Sequence, residues 1–334
     1  MNDLRTLIGK INNLSDLTKV LNYFKQRETN CEDNLFTEDV LESYTDPSKK
    51  VARRYKTFYI PKKNGKLREI SAPNRNLKEI LYYLNMMLAE VYQAGPSAMG
   101  FVKGRSIVDN ANLHVGQNYV LNLDLSDFFT SISQSRVCKR LQLAPFNFNE
   151  NVAKAISGLC CKKVVKDGKK GYALPQGAPT SPLLTNAVCD FLDKKLRHLS
   201  NRNGVKYSRY ADDITFSGDS NIKNMIPVVT QIIQEENFCV NQEKTRYAFY
   251  YQRQEVTGLI VNKKVSIPKS YLKEIYKEIY YCKKFGVTSH LNKTDNHKSF
   301  FKDYIYGKAY FIKMVDEELG HKILKELDSI MWEY

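Results

Sequence analysis

Lys206-Tyr207-Ser208-Arg209-Tyr210-Ala211-Asp212-Asp213-Ile214-Thr215-Phe216-Ser217 is the stretch that decides how this chain reads. β-Forming residues alternate with polar ones on both sides of two adjacent carboxylates. The pattern predicts two strands joined by a tight turn, with Asp212 and Asp213 at its tip. Like charges at such a tip repel. A hard divalent cation turns that repulsion into a site, because Mg²⁺ takes carboxylate oxygens and leaves its remaining positions to water and phosphate. Taken alone, an Asp-Asp turn is more often an ordinary solvated turn.

A second carboxylate strand changes the weighting. Tyr119-Val120-Leu121-Asn122-Leu123-Asp124-Leu125 alternates apolar and polar residues around Asp124. Burying an unpaired carboxylate is costly, so Asp124 needs a partner such as a cation, and the Asp212-Asp213 turn is a natural place for one to be shared. Three carboxylates drawn from two distant strands suit two metal ions roughly 4 Å apart, which activate an attacking hydroxyl and neutralise a departing phosphate. That is the chemistry of nucleotidyl transfer.

The bulk composition points the same way. At 334 residues the chain is long enough for a large core and more than one subdomain, with no room expected for a fused nuclease beside a complete polymerase. Its formal charge of +15 and pI near 9.3 mark a partner that is a polyanion, with nucleic acid as the economical choice and no membrane. From Asn262 to Lys313, 12 Lys and no Arg face 4 acidic residues (Glu274, Glu278, Asp295, Asp303), a local excess of +8. Cysteines 31, 138, 160, 161, 189, 239 and 282 show no metal-ligand spacing and read as reduced core thiols of a cytoplasmic protein. Met1-Asn2-Asp3-Leu4-Arg5 lacks a secretory profile, which fits that expectation.

Along the chain, Leu4 to Leu21 repeats at helical spacing with a break near Asn12-Asn13, and a polar connector with a short helix runs to Lys50. Arg53 to Ala72 predicts a β-hairpin with Asn64-Gly65 at the turn. Helices are expected from Leu77 to Leu88, across Gln134 to Cys161, and from Ile222 to Gln234; Val164 to Tyr172 predicts another hairpin. After Ile267-Pro268, Tyr271, Ile275, Ile279 and Cys282 share one helical face with Lys273 and Lys277 elsewhere, and a later helix carries Tyr304, Gly307, Phe311 and Val315.

Leu174-Pro175-Gln176-Gly177-Ala178-Pro179-Thr180-Ser181-Pro182 adds the third element, a Gly/Pro-rich loop leading into an apolar helical run. In the order carboxylate strand, Pro-Gln-Gly loop, Tyr-x-Asp-Asp hairpin, the chain resembles reverse transcriptases from about Tyr55 to Lys313. Asn110-Ala111-Asn112-Leu113-His114 and Val256-Thr257-Gly258 resemble the Asn-Ala-x-x-His and Val-Thr-Gly elements of the bacterial retron reverse transcriptases. His114 itself reads as a satisfied core or loop histidine rather than a catalytic one.

The resemblance implies an α+β right-hand polymerase. Residues 1–54 would form a helical N-terminal extension, 55–118 the fingers, 119–133 the first catalytic strand of the palm, 134–171 helices and a hairpin, 172–266 the rest of the palm with its antiparallel sheet, and 267–334 a helical thumb. It implies two Mg²⁺ ions, with Mn²⁺ as a substitute, on Asp124, Asp212, Asp213 and the Leu125 backbone carbonyl. Lys62, Lys63, Lys66 and Arg68 match a basic fingertip over the incoming triphosphate, and Arg68 suits bidentate phosphate binding. Gln176 and Gly177 would line the nucleotide side, and Phe129 would sit against the sugar C2′. Lys244 matches a lysine that protonates pyrophosphate, although it could equally be a solvated side chain. Tyr210, Val256, Thr257, Gly258, Lys273, Lys277, Lys283 and Lys284 fall on the RNA and primer side. Retron membership further implies dNTP substrates, a structured non-coding RNA (msr-msd type) as template, a multicopy single-stranded DNA (msDNA) started from an internal 2′-hydroxyl, and an effector or toxin partner in anti-phage defence. Another defence-associated or diversity-generating reverse transcriptase, a group II intron type maturase and a catalytically silent RNA-binding scaffold remain open.

Overall fold

A computed structural model describes residues 2–30, 33–48, 54–61, 65–166, 168–294 and 300–332. Three helices open the chain: α1 (Asn2–Gly9), α2 (Leu14–Thr29) and α3 (Glu38–Thr45). The break between the first two falls where expected, because the Asn13 side chain accepts from Asp16 N–H and caps α2. The hairpin β1 (Tyr55–Pro61) and β2 (Leu67–Pro73) follows, then α4 (Arg75–Val91) and the short α5 (Ile107–Asn112). The β1/β2 ladder runs from Tyr55↔Pro73 to Pro61↔Leu67; of the turn expected at Asn64-Gly65, Asn64 lies outside the described residues and Gly65 takes φ 77°.

The middle of the chain builds the palm. It runs β3 (Tyr119–Asp124), α6 (Gln134–Leu141), α7 (Glu150–Cys160), β4 (Lys162–Lys166), β5 (Lys169–Ala173), α8 (Ser181–Arg202), β6 (Lys206–Tyr210), β7 (Asp213–Gly218), α9 (Ile226–Glu235) and β8 (Arg246–Phe249). Strands β6-β7-β3-β8 form one antiparallel sheet with β3 inside it. Alternation along β3 sorts its side chains by face. Leu121, Leu123 and Leu125 join the main core, shared with α4, α7, α8 and the N-terminal helices. Val120, Asn122 and Asp124 point to the opposite face. There Asn122 Nδ2 donates to the Glu255 carbonyl at 3.0 Å, and Val120 enters a second core.

That second core belongs to the last part of the chain, built from the tight hairpin β9 (Glu255–Val256) and β10 (Leu259–Ile260) and the helices α10 (Lys269–Phe285), α11 (Val287–Lys293), α12 (Phe301–Val315) and α13 (Glu317–Asp328). In α10 the buried stripe is Ile275, Ile279 and Cys282, as the spacing predicts. The later helix expected around Tyr304, Gly307, Phe311 and Val315 is α12, whose buried stripe is Phe301, Ile305, Ala309 and Ile312; Phe311 and Val315 pack at the edge of the same core, and Tyr304 and Gly307 are exposed. The thiols also divide: Cys160, Cys161, Cys189 and Cys282 are buried, Cys138 is half-buried and Cys239 is exposed.

Candidate active site

The turn between β6 and β7 differs from the sequence expectation by one residue. Tyr210 pairs with Asp213, so the two loop residues are Ala211 and Asp212, and Asp213 opens β7 rather than sharing the tip. Ala211 takes φ 57°, a left-handed position where glycine is the usual residue. Asp213 lies directly across from Asp124 at the end of the β3/β7 ladder. Leu125 N–H donates to the Asp212 carbonyl at 3.0 Å and ties the first carboxylate strand to the turn. All three predicted carboxylates therefore meet at one end of the sheet.

Their charges are poorly balanced. Asp213 is exposed to solvent, yet the mass of protein around its carboxyl, then the Asp212 and Asp124 charges, push its pKa up to about 7. That exposure moderates the first cause and leaves the like-charge crowding as what a cation relieves. The Asp212 pKa is raised too, chiefly by burial and then by Asp124, while Lys244 and Arg68 pull it back. Lys244 Nζ donates to Asp124 Oδ1 at 2.6 Å, and this hydrogen bond is the main cause that raises the lysine pKa. Among the described residues, no three carboxylate, imidazole or thiol groups form a closed metal cage; an ammonium ion serves as counter-charge to Asp124. The Leu125 carbonyl takes no part in the bonds that hold its neighbours, in which Asp124 O accepts from Asn241 N–H at 2.7 Å and Ser126 N–H donates to Cys239 O at 2.8 Å. Crowded hard oxygen donors short of positive charge fit Mg²⁺ or Mn²⁺.

Around these carboxylates the other predicted residues fall unevenly. Arg68 is exposed on β2 and near enough to influence Asp212. Lys66 pairs with Glu243 at 3.7 Å, whereas Lys62 and Lys63 lie outside the described residues. The Gln176 carbonyl accepts from Ser71 N–H at 2.8 Å, so the Pro-Gln-Gly loop is fastened to β2. Gly177, at φ 121°, would place a Cβ 3.0 Å from Ser71 O. The close approach its glycine permits is thus to the protein's own strand. Phe129 is half-buried between Phe101 and Phe128, with ring centroids 6.2 and 5.5 Å away, and Tyr210 is partly buried against the main core.

The Asn-Ala-x-x-His and Val-Thr-Gly elements, far apart in sequence, meet. Thr257 and Gly258 form the β9/β10 turn with φ of 47° and 84°. Thr257 Oγ1 donates to the Ile107 carbonyl at 3.3 Å and accepts from Asn110 Nδ2 at 3.5 Å, while Ala111 and Val256 share the second core. His114 is fully buried between Ser217 Oγ at 2.6 Å and Ser208 Oγ at 2.8 Å. Ser208 Oγ donates to Asn110 Oδ1 at 2.6 Å, so it accepts from His114 Nε2–H, and the ring is a neutral structural bridge, as the sequence suggested. Burial, then the Lys206 charge, lowers its pKa to about 3.

On α10, Lys273, Lys277 and Lys284 share one exposed face with Tyr276 and Tyr280. Lys284 Nζ donates to Tyr280 OH at 3.0 Å. Lys283 stands off this stripe and pairs with Glu326 of α13. The sequence reading missed Arg209, Asp193, Asn186 and Gly100, which pack behind the turn. Arg209 had looked like one more polar residue in an alternating strand; a charged residue on the core-facing phase of a strand was the available signal.

Residues 60–279 match the family model for reverse transcriptase (RNA-dependent DNA polymerase). The chain belongs to that family, and its α+β fold is the right-hand polymerase fold. Within the family its relatives include several retron enzymes. It is 40% identical over 223 residues to the retron Mx65 reverse transcriptase of Myxococcus xanthus, covering 63% of this chain and 52% of that one. It is 32% identical over 307 residues to the retron Mx162 enzyme of the same organism (84% and 61%). It is also 32% identical over 289 residues to the retron Ec86 reverse transcriptase of Escherichia coli (84% and 82%). The chain thus spans only about half to three-fifths of the length of the two Myxococcus relatives.

Proposed function

We propose that this protein is the RNA-directed DNA polymerase of a retron, copying part of its own structured non-coding RNA into msDNA from a 2′-hydroxyl primer. The observation that carries the reading is the meeting of Asp124, Asp212 and Asp213 at one end of the palm sheet, with too little positive charge to balance them. Two Mg²⁺ ions, held there by the three carboxylates and the Leu125 carbonyl, would supply activation of the primer hydroxyl and neutralisation of the leaving phosphate.

The chain's own groups do the rest. Arg68, with Lys62, Lys63 and Lys66, binds the triphosphate oxygens of the incoming dNTP. Gln176 and Gly177 border the nucleotide, and Phe129 excludes a ribose 2′-hydroxyl by contact at C2′. Lys244, whose ammonium lies on Asp124 beside the other two carboxylates, gives a proton to the departing pyrophosphate. Tyr210 and the Val256-Thr257-Gly258 turn face the primer end. Lys273, Lys277 and Lys284 bind duplex phosphates with Tyr276 and Tyr280 between them, and Lys283 adds to that field. Residues 55–118 act as fingers and 267–334 as thumb. Retron membership supports a cytoplasmic bacterial setting and an effector partner in anti-phage defence; no helix among the described residues is long and apolar enough to cross a membrane.

The test is to sequence the nucleic acid that copurifies with the protein. One RNA carrying DNA joined at an internal 2′-hydroxyl is the expected result. DNA with only 3′-5′ linkages, or DNA attached to protein, would remove the retron reading and leave the polymerase reading standing.

A further inference from the structure

Behind the catalytic turn lies a polar cluster that the reaction itself does not use. Arg209 is fully buried. Its Nε and Nη2 donate to the two carboxylate oxygens of Asp193 at 2.8 and 2.7 Å. Its Nη1 donates to Asn186 Oδ1 and to the Ala211 carbonyl, each at 3.1 Å. Tyr207 OH donates to the same Asp193 at 2.7 Å. Asn186 Nδ2 donates to the Gly100 carbonyl at 2.9 Å. Gly100 lies so close to the turn that a Cβ there would stand 2.7 Å from Ala211 N. The neighbouring backbone grips both sides of Arg209: its N–H donates to Ser97 O at 2.8 Å, and its carbonyl accepts from Met99 N–H at 2.7 Å.

We propose that Arg209 is a positioning residue for the catalytic turn, aimed by Asp193 and Asn186, so that α8 and the metal-binding end of the sheet hold one geometry; its effect on rate rests on the polymerase reading above. Ala211 occupies a left-handed conformation disfavoured for any residue with a Cβ, and such a conformation persists only where its surroundings over-determine it. The guanidinium supplies that constraint by holding the Ala211 carbonyl one residue before Asp212. Stability alone does not require an ion pair here, because apolar residues of similar volume commonly replace buried pairs without loss. What apolar residues cannot do is hold a backbone carbonyl in place. Lysine would keep the charge and lose the planar fork that serves Asp193 on one edge and the turn on the other. Since α8 begins directly after the Pro-Gln-Gly loop, the same helix fixes the loop at its start and the turn through Asn186 and Asp193.

Arg209→Lys separates positioning from packing. Mn²⁺ binding by the purified protein, followed by the EPR signal of free Mn²⁺, should weaken by about tenfold or more, as loss of the groups that orient metal ligands does elsewhere. The kcat for dNTP incorporation should fall with it, while KM for dNTP stays within about twofold. Leu196→Val, a change on the buried face of the same helix, controls for lost stability and should leave Mn²⁺ affinity within about twofold. Asn186→Leu repeats the comparison if Arg209→Lys folds poorly. Unchanged Mn²⁺ affinity in the Arg209 and Asn186 variants, or equal weakening in Leu196→Val, overturns the proposal. A wild-type protein that binds Mn²⁺ yet incorporates no dNTP removes the polymerase reading instead, and the Mn²⁺ comparison still judges Arg209. A wild-type protein that binds no Mn²⁺ overturns both.

Discussion

On the two faces of the palm sheet, at the same end, a basic side chain meets an aspartate: Lys244 meets Asp124 in front, and Arg209 meets Asp193 behind. The front pair is a single contact of 2.6 Å with the lysine half exposed. The rear pair is a fork with no exposed guanidinium and two further acceptors on the same group. An ion pair open to water contributes about 0–1 kcal/mol and exchanges readily. Removing one partner of a buried pair leaves the other charge stranded, at a cost of about 3–5 kcal/mol. One chemistry thus serves two purposes, a replaceable counter-charge where a cation is to come and go and a fixed strut where a carboxylate must not move.

The largest test of this division is Asp213→Asn, which should lower template-directed dNTP incorporation by more than about a hundredfold, since a direct metal ligand matters more than the groups that orient it. Its thermal midpoint and its RNA gel shift should stay close to wild type, and a large loss of either would erase the distinction between the faces. Lys244→Gln should lower kcat by about a hundredfold through the missing proton donor, while Mn²⁺ binding tightens because no ammonium competes for Asp124. Weaker binding would place Lys244 with the fixed parts instead. A smaller effect is expected from Phe129→Ala, where the ratio of kcat/KM for a matched rNTP over dNTP should rise about tenfold; an unchanged ratio would reduce Phe129 to packing against Phe101 and Phe128.

The last test concerns His114, a dry group on the front face that should behave like the rear, and it reads stability instead of rate. Its folded pKa is lowered to about 3, against about 6.5 when unfolded. The unfolded chain therefore binds the extra proton first as pH falls. The stability from neutral His114 is fully present above about 6.5 and is lost towards about 3, at up to about 1.4 kcal/mol per pH unit. Urea unfolding at several pH values should show that slope in wild type and a flatter one in His114→Gln. Parallel curves would assign the slope to another group.

The meeting of Asp124, Asp212 and Asp213 at one end of the sheet was legible in the sequence because carboxylates so spaced on strands call for one another through a shared counter-charge, and the α10 stripe was legible because burial imposes a period on aliphatic side chains. The exact turn was not legible. Alanine has no preference for the left-handed conformation that the two-residue β6/β7 loop demands, and the contacts from Arg209 and Gly100 that support it are tertiary. The Arg209 to Asp193 pairing was hidden for the same reason, since it joins a strand to a helix that only the tertiary fold brings together. In α12 the helix was legible but its buried phase was not: burial selected Phe301, Ile305, Ala309 and Ile312, with Phe311 packed beside them, while Tyr304 stays exposed, as suits a ring with a polar hydroxyl.

Strand β3 owes allegiance to both cores, and that has a consequence in time. Its main-core face is held by residues throughout the palm, but Val120 and the neighbouring Ala111 share their cluster mainly with Val256, Leu259, Val261 and the helices that follow, with Ile107, Val108 and Val115 at its edge. A ribosome adding ~5–20 residues per second takes on the order of ten seconds to travel from one group to the other. Once β6 and β7 have been made and have joined β3, the Asp124 side of the sheet still lacks its outer strand β8 and the later half of its apolar cover. The nascent chain thus passes through a stage in which the carboxylate-bearing face of its sheet exposes apolar surface, and arrival of the last helices ends that exposure.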